Sequence, residues 1–209
     1  MGRSYYRWTR NLHLYFGLFL CPFVLVFAIS TIVLNHPSLG PAKLDASRAA
    51  PVSGIAIPDG LERLTGMERV ASLQPILQKV GVSGEVEWIT YEPEESRMII
   101  PVVKPGERAT VNLDLKNRTA TVRRAETGLL GALVYLHKSP GPHLQNIRGN
   151  WFFTRVWWIF ADGTAYLLLF LAVSGIYLWA VLASARRTGL VLIGAGFFLF
   201  TSLIYALAL

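Results

Sequence analysis

The chain has 209 residues, of which 53% are hydrophobic and only 16% charged, and it carries a net charge of +7. It is too apolar for an ordinary soluble domain. The basic excess argues for membrane topology rather than nucleic acid: segment 37–150 holds 14 Lys and Arg against 12 Asp and Glu, a balance of +2, while the remainder holds 6 against 1, a balance of +5.

The apolar residues fall in blocks. No Asp, Glu, Lys or Arg occurs from Asn11 to Ala42, from Gly163 to Ala185, or from Thr188 to Leu209. Each block is long enough to cross a hydrocarbon core of about 30 Å at 1.5 Å per residue. The expectation is three transmembrane helices, near 11–35, 155–183 and 189–208. The first has a basic leader (Arg3, Arg7, Arg10), but its apolar run exceeds the roughly 7–15 residues of a signal peptide and no clear A-x-A site follows, so it reads as a retained anchor. That leader and the Arg186–Arg187 pair lie on the cytoplasmic side by the positive-inside rule, which puts 37–150 outside. The single cysteine, Cys21, lies within the first span and can form no intrachain disulfide.

Residues 37–58, rich in Pro, Ala, Ser and Gly, read as an exit linker. From Leu61 to Val80 the apolar spacing is helical, with Pro75 starting or bending the second part. Strand-like runs follow at 85–92, 97–103, 108–115 and 118–124, with "KPGE" and "LKNRT" as turns. The result is a small α+β module at about 61–125, too small for a large core of its own and expected to lean on its neighbours. "GLLGALVYLHK" reads as a short amphipathic helix ending before Pro140. Trp151, Trp157 and Trp158 suit an interfacial belt at the head of the second span. No internal repeat stands out.

The four histidines are the main candidates for chemistry. His13 and His36 flank the first span, about 35 Å apart at 1.5 Å per residue, so they cannot share a ligand within one chain. His137 and His143 lie outside with His36. Their placement fits three readings: interfacial histidines bonded to headgroups or backbone, axial ligands of a haem, or ligands of another transition metal. Asp162 is the one acid beside a span, either functional or a partner for a donor such as Arg155. Ser174 and Gly175 mark a place for close packing of a helix or a flat cofactor. There is no HExxH pattern, phosphate loop, nucleophile motif or dinucleotide fingerprint.

Several stretches together resemble the PepSY-associated transmembrane proteins of bacteria. "RNLHLYFGL" (10–18) is similar to the LH-x-x-x-GL opening of that family. "TIVLNHP" (31–37) resembles its (T/S)G-x-x-LNHP exit, with Ile32 in place of the usual glycine. The 71–124 segment resembles a single PepSY domain, "LVYLHK" its Leu-His element, and "DGTAYLLLFLAVSGIYLW" (162–179) its span, an Asp followed after 11–12 residues by (S/T)G-(I/L)-x-LW. The resemblance implies a mainly α membrane protein of the bacterial inner membrane with a cytoplasmic N-terminus. Residues 1–36 would hold the first span, 37–150 the periplasmic region with the PepSY-like domain, and 151–209 the other two spans. Larger relatives include ferric-siderophore reductases with haem b between membrane histidines. Carried over, that implies His13, His36 and His137 as axial candidates. The expectation is one haem near the periplasmic face on His36 and His137, with Arg148, Arg155 or Lys138 near its propionates, in an electron-transfer or metalloreductase-like protein working with a redox partner or larger membrane complex. The alternative is a non-enzymatic, membrane-anchored accessory subunit whose PepSY-like domain binds another protein through an exposed sheet edge.

Overall fold

The computed structural model describes residues 2–39, 47–48, 50–139, 145–181 and 186–208. The three apolar blocks form α1 (Gly2–Asn35), α4 (Phe152–Val181) and α5 (Arg186–Ala208), each long and apolar enough to cross a membrane. α1 extends past its uncharged run and takes in Arg7 and Arg10, and Pro22 sits inside it without ending it. α5 buries none of its residues among those described. By internal packing the chain forms two units, Phe23–Asp162 and Met1–Pro22 with Gly163–Leu209.

In the first of these units, β1 (Ser47–Arg48), α2 (Gly66–Lys79), β2 (Glu85–Val86), β3 (Thr90–Glu92), β4 (Arg97–Lys104), β5 (Glu107–Asp114) and β6 (Thr119–Glu126) precede α3 (Gly128–Lys138). The strands make one antiparallel sheet in the order β1-β6-β5-β4-β2, with β3 also on β4. Period-two alternation decides the faces. On β5, Ala109, Val111 and Leu113 are buried while Arg108, Thr110 and Asn112 face outward. Val70, Leu73, Ile76 and Leu77 of α2 meet the buried face, and Ile147, just before α4, joins the same core. The loop ahead of α4 is therefore part of the module's interior, as a sheet too small to close its own core requires.

Two local expectations change. α2 begins at Gly66, not Leu61, and Pro75 lies inside it rather than starting it. The expected 85–92 strand is broken in two. Glu85 and Val86 pair with Val103 and Val102, whereas Thr90, Tyr91 and Glu92 pair with Ile99, Met98 and Arg97. The second register is displaced by one residue, the signature of a bulge. Pro101 supplies the reason. Its C=O accepts from Glu87 N–H at 3.0 Å, so its nitrogen faces the same neighbour and has no hydrogen to donate. The ladder lapses there, and the extra residue turns Trp88 outward, where it is 41% exposed.

The outer edge of β2 is closed by a side chain. Asn150 accepts from Val86 N–H at 2.9 Å through Oδ1 and donates Nδ2–H to Val86 C=O at 2.9 Å. One amide thus reproduces the pairing of a neighbouring strand. Beside it, Gly149 N–H donates to the buried Glu85 carboxylate at 2.7 Å.

Candidate functional site

Within Phe23–Asp162, α3 carries His137 in its last turn, and the ring meets α1 at Ser30. Nδ1 lies 2.8 Å from Ser30 Oγ, and the ring packs edge-on against Phe27 with centroids 5.5 Å apart. Ser30 is fully buried. Its single hydroxyl proton is directed back along its own helix, to Val26 C=O at 2.6 Å and Phe27 C=O at 3.0 Å. With the hydroxyl proton on one of these carbonyls the oxygen accepts from Nδ1; the 2.8 Å distance itself is the same for the opposite direction. In the neutral ring the first arrangement leaves the bare lone pair on Nε2.

The other unit repeats the arrangement. His13 Nδ1 lies 2.8 Å from Ser174 Oγ, Ser174 is buried, and its hydroxyl donates to Leu171 C=O at 3.3 Å. The ring lies against Gly175: a Cβ there would stand 3.5 Å from His13 Cε1, an ordinary van der Waals contact. The two serines share a pattern that was not evident before the structure singled them out. Residues 28–34 read A-I-S-T-I-V-L and residues 172–178 read A-V-S-G-I-Y-L. Each unit holds one Leu-His pair (12–13 or 136–137) and one such serine. Ser30 carries no signal by itself, since a hydroxyl in an apolar run is usually satisfied by its own helix. The short repeat was the available signal.

His36 is placed differently. It is exposed and directly follows α1. Its N–H donates to Ile32 C=O at 3.0 Å and its C=O accepts from Leu39 N–H at 2.9 Å. It is six residues beyond Ser30, which on helical geometry is about 9 Å further along the axis and about 240° around it. The structure therefore brings His137 to the Ser30 face of α1 and not to His36. His143 lies outside the described residues. Among the described residues no group of three or more His, Cys, Asp or Glu converges as a metal cage. Asp162 is exposed in α4, and Arg155 donates Nε–H to Gly149 C=O rather than to Asp162.

Beside α3 is an apolar cleft of about 290 Å³. Trp151 and, from the head of α4, Phe153, Trp157 and Phe160 wall it, and Tyr135, Ser139 and Thr154 also line it. Trp157 Nε1–H donates to Leu136 C=O at 3.0 Å, which locks α3 to α4. Burial raises the Tyr135 phenol above its ordinary value, against smaller opposing effects from the Thr154 and Ser139 hydroxyls.

Helices of spanning length and an antiparallel α+β module between the first and second of them define the class: a membrane protein with an inserted α+β module. The chain belongs to the PepSY_TM-like family, whose model matches residues 7–209. No curated protein and no solved structure matches it.

Proposed function

We propose that the protein binds haem b and acts as an electron-transfer or metalloreductase-like protein at the periplasmic face of the bacterial inner membrane. The observation that carries this reading is the paired serine anchor. A histidine that ligates a metal normally donates its other ring N–H to a fixed acceptor, which sets tautomer and orientation. Ser30 stands in that position for His137 and Ser174 for His13, and in the tautomer in which each serine accepts from Nδ1, Nε2 keeps its lone pair. The residues fit an axial role in that respect: an imidazole, half-buried and oriented by a serine, within an apolar setting. A bound haem would supply one-electron chemistry, its potential set by axial ligands and burial. The chain's own part is to aim the imidazoles, exclude water and offer cations to the propionates. Lys138 and Arg155 are exposed basic groups flanking the His137 region. His36, exposed at the end of α1, is the second ligand candidate in this unit. The Arg clusters support the orientation.

Strand addition, as the accessory-subunit reading would use it, has little to work with. Val86 on the β2 edge already has both backbone groups bonded to Asn150, and β1 at the other edge spans two residues.

The test is the dithionite-reduced spectrum and haem content of protein expressed with haem supplied. His137→Ala is expected to remove half or more of the haem, and His36→Ala reports whether His36 is its partner. His13→Ala should remove any haem that survives in the His137 variant. Wild-type protein that carries no haem under these conditions overturns the reading and leaves the accessory role.

A further inference from the structure

The two faces of the antiparallel sheet have different neighbours. α2 packs on one of them through Val70, Leu73, Ile76 and Leu77. The ladder gives the opposite face in rows. One row runs Glu85, Val103, Arg108, Ala125, and the next runs Pro101, Thr110, Arg123, Arg48. The β4 half of this face is covered. Pro101 and Val103 are buried, and Glu85 accepts from Gly149, on the stretch that enters α4. Tyr135 of α3 feels the charges of Glu85 and Glu87. The face turned away from α2 is thus the one turned toward α3 and the head of α4, a helix of membrane-spanning length.

The β5–β6 half of the same face is open. Arg108, Thr110, Asn112, Arg123 and Ala125 line a trough of about 290 Å³ there. Arg108 and Arg123 hold diagonal positions in the ladder, about 7–8 Å apart, and the small Ala125 opposite Arg108 leaves the space between them. No acid stands in these rows on β5 or β6. Glu87 pairs with Arg108 at 2.6 Å and fixes that guanidinium. Arg123 is exposed, and its guanidinium has no hydrogen-bond or ion-pair partner among the described residues. Arg48 occupies the register position opposite Arg123. Like charges at opposed positions of a ladder are unfavourable until an anion joins them. The borders of the trough are of another kind. Trp88 is 41% exposed, with the Arg108 guanidinium 5.9 Å above its ring, and α3, which starts two residues after β6 ends, exposes Leu129. Arginine, tryptophan and leucine side by side are the composition of a surface that meets a bilayer.

We propose that this trough binds the phosphate of an anionic phospholipid headgroup, so that the open half of the sheet rests on the bilayer beside α3. Arg123 supplies the unneutralised charge and Arg108 a second guanidinium already held in place. Thr110 and Asn112 offer neutral donors to the remaining phosphate oxygens. An acidic peptide would match the charge, but it gives no reason for the patch to lie on the face that carries the membrane helices. Lipid binding here does not depend on the haem reading.

The experiment uses the full chain with Cys21→Ala and one nitroxide at Thr121→Cys, the β6 position opposite Asn112. The protein is placed in phosphatidylcholine nanodiscs with an increasing share of phosphatidylglycerol, and electron paramagnetic resonance reads the label's access to a water-soluble nickel complex. Access should fall saturably as phosphatidylglycerol rises. Arg123→Gln should require about fivefold more phosphatidylglycerol for the same protection, the ordinary effect of one arginine at a lipid surface. Arg123→Lys keeps the charge and should stay near the parent. Arg97→Gln, at the far end of the same face and paired with Glu92 and Glu95, should leave the curve unchanged. Arg108→Gln also breaks the pair with Glu87, so Arg123→Gln is the deciding variant. Access that is the same at every lipid composition, or protection that survives unchanged in Arg123→Gln, overturns the proposal. So does immobilisation of the label by inorganic phosphate or hexaglutamate in pure phosphatidylcholine discs, lost in Arg123→Gln, while phosphatidylglycerol has no effect. The trough would then take a soluble anion or an acidic peptide.

Discussion

A serine inside an apolar helix ordinarily spends its proton on the carbonyl four residues back, as Ser30 does on Val26. What is unusual is that the remaining lone pairs meet an imidazole. Ser30→Ala should free Nδ1 of His137 to exchange tautomers, which ring nitrogen NMR of haem-free protein reads as loss of the single Nδ1–H form. In haem-loaded protein the same substitution should shift the midpoint potential while leaving most of the haem bound. Ser174→Ala should do the same for His13 alone, because the two pairs lie in separate units. Gly84 is a second residue with a physical requirement. Its φ is +146°, and a Cβ would meet Val103 O at 2.4 Å. Gly84→Ala should cost about 3 kcal/mol, from backbone strain and overpacking together, seen as a lower melting temperature with an unchanged ligand spectrum. At the β5–β6 turn, the Asn117 backbone N–H and then its side chain hold the Asp114 carboxyl below the usual range. The sign follows from a depressed folded value: the contribution is present above the ordinary carboxylate range and is lost as pH falls through the lowered one. Asp114→Asn should remove that acid dependence from hydrogen exchange at the turn.

Elements depend on one another here more than their lengths suggest. β2 is two residues long and would fray alone, yet it is held on one side by β4 and on the other by Asn150. Asn150→Ala leaves a buried N–H and C=O without partners and should cost about 2–3 kcal/mol. Faster amide exchange at Val86 would localise the effect, while an unchanged melting temperature would show that water replaces the side chain. The bulge between β2 and β3 rests on the absent donor of Pro101. Pro101→Ala would restore a hydrogen on that nitrogen, so the 85–92 run should then pair with β4 in one register, read as a new protected amide at position 101 in hydrogen exchange.

For the whole molecule, the distribution of charge is the basis of the proposed orientation. Basic residues cluster before the first apolar run and at Arg186–Arg187, whereas segment 37–150 is nearly balanced. Protease added to spheroplasts should cut within 37–150 and spare the Arg186–Arg187 turn; cleavage at that turn from outside would reverse the orientation. α5 has no buried residue of its own, as expected of a helix whose surroundings are lipid or another membrane partner.

The spans, the inserted helix-and-strand module and the shortlist of histidines were legible in the chain itself, because they rest on hydropathy, period-two alternation and residue type, all local properties. The family motifs added order to these pieces, and the Leu-His and LNHP elements led to His13, His36 and His137. What lay beyond the sequence was partnership. Whether His137 meets His36 or Ser30 depends on which face of α1 the α3 helix approaches, and packing decides that face. The bulge at Pro101 likewise needed to be known as a central-strand position before its missing hydrogen could matter. The cleft exists only because α3 and the head of α4 are locked by Trp157, a contact between residues 21 positions apart. Local chemistry named the groups, and tertiary packing chose which atoms they present to one another.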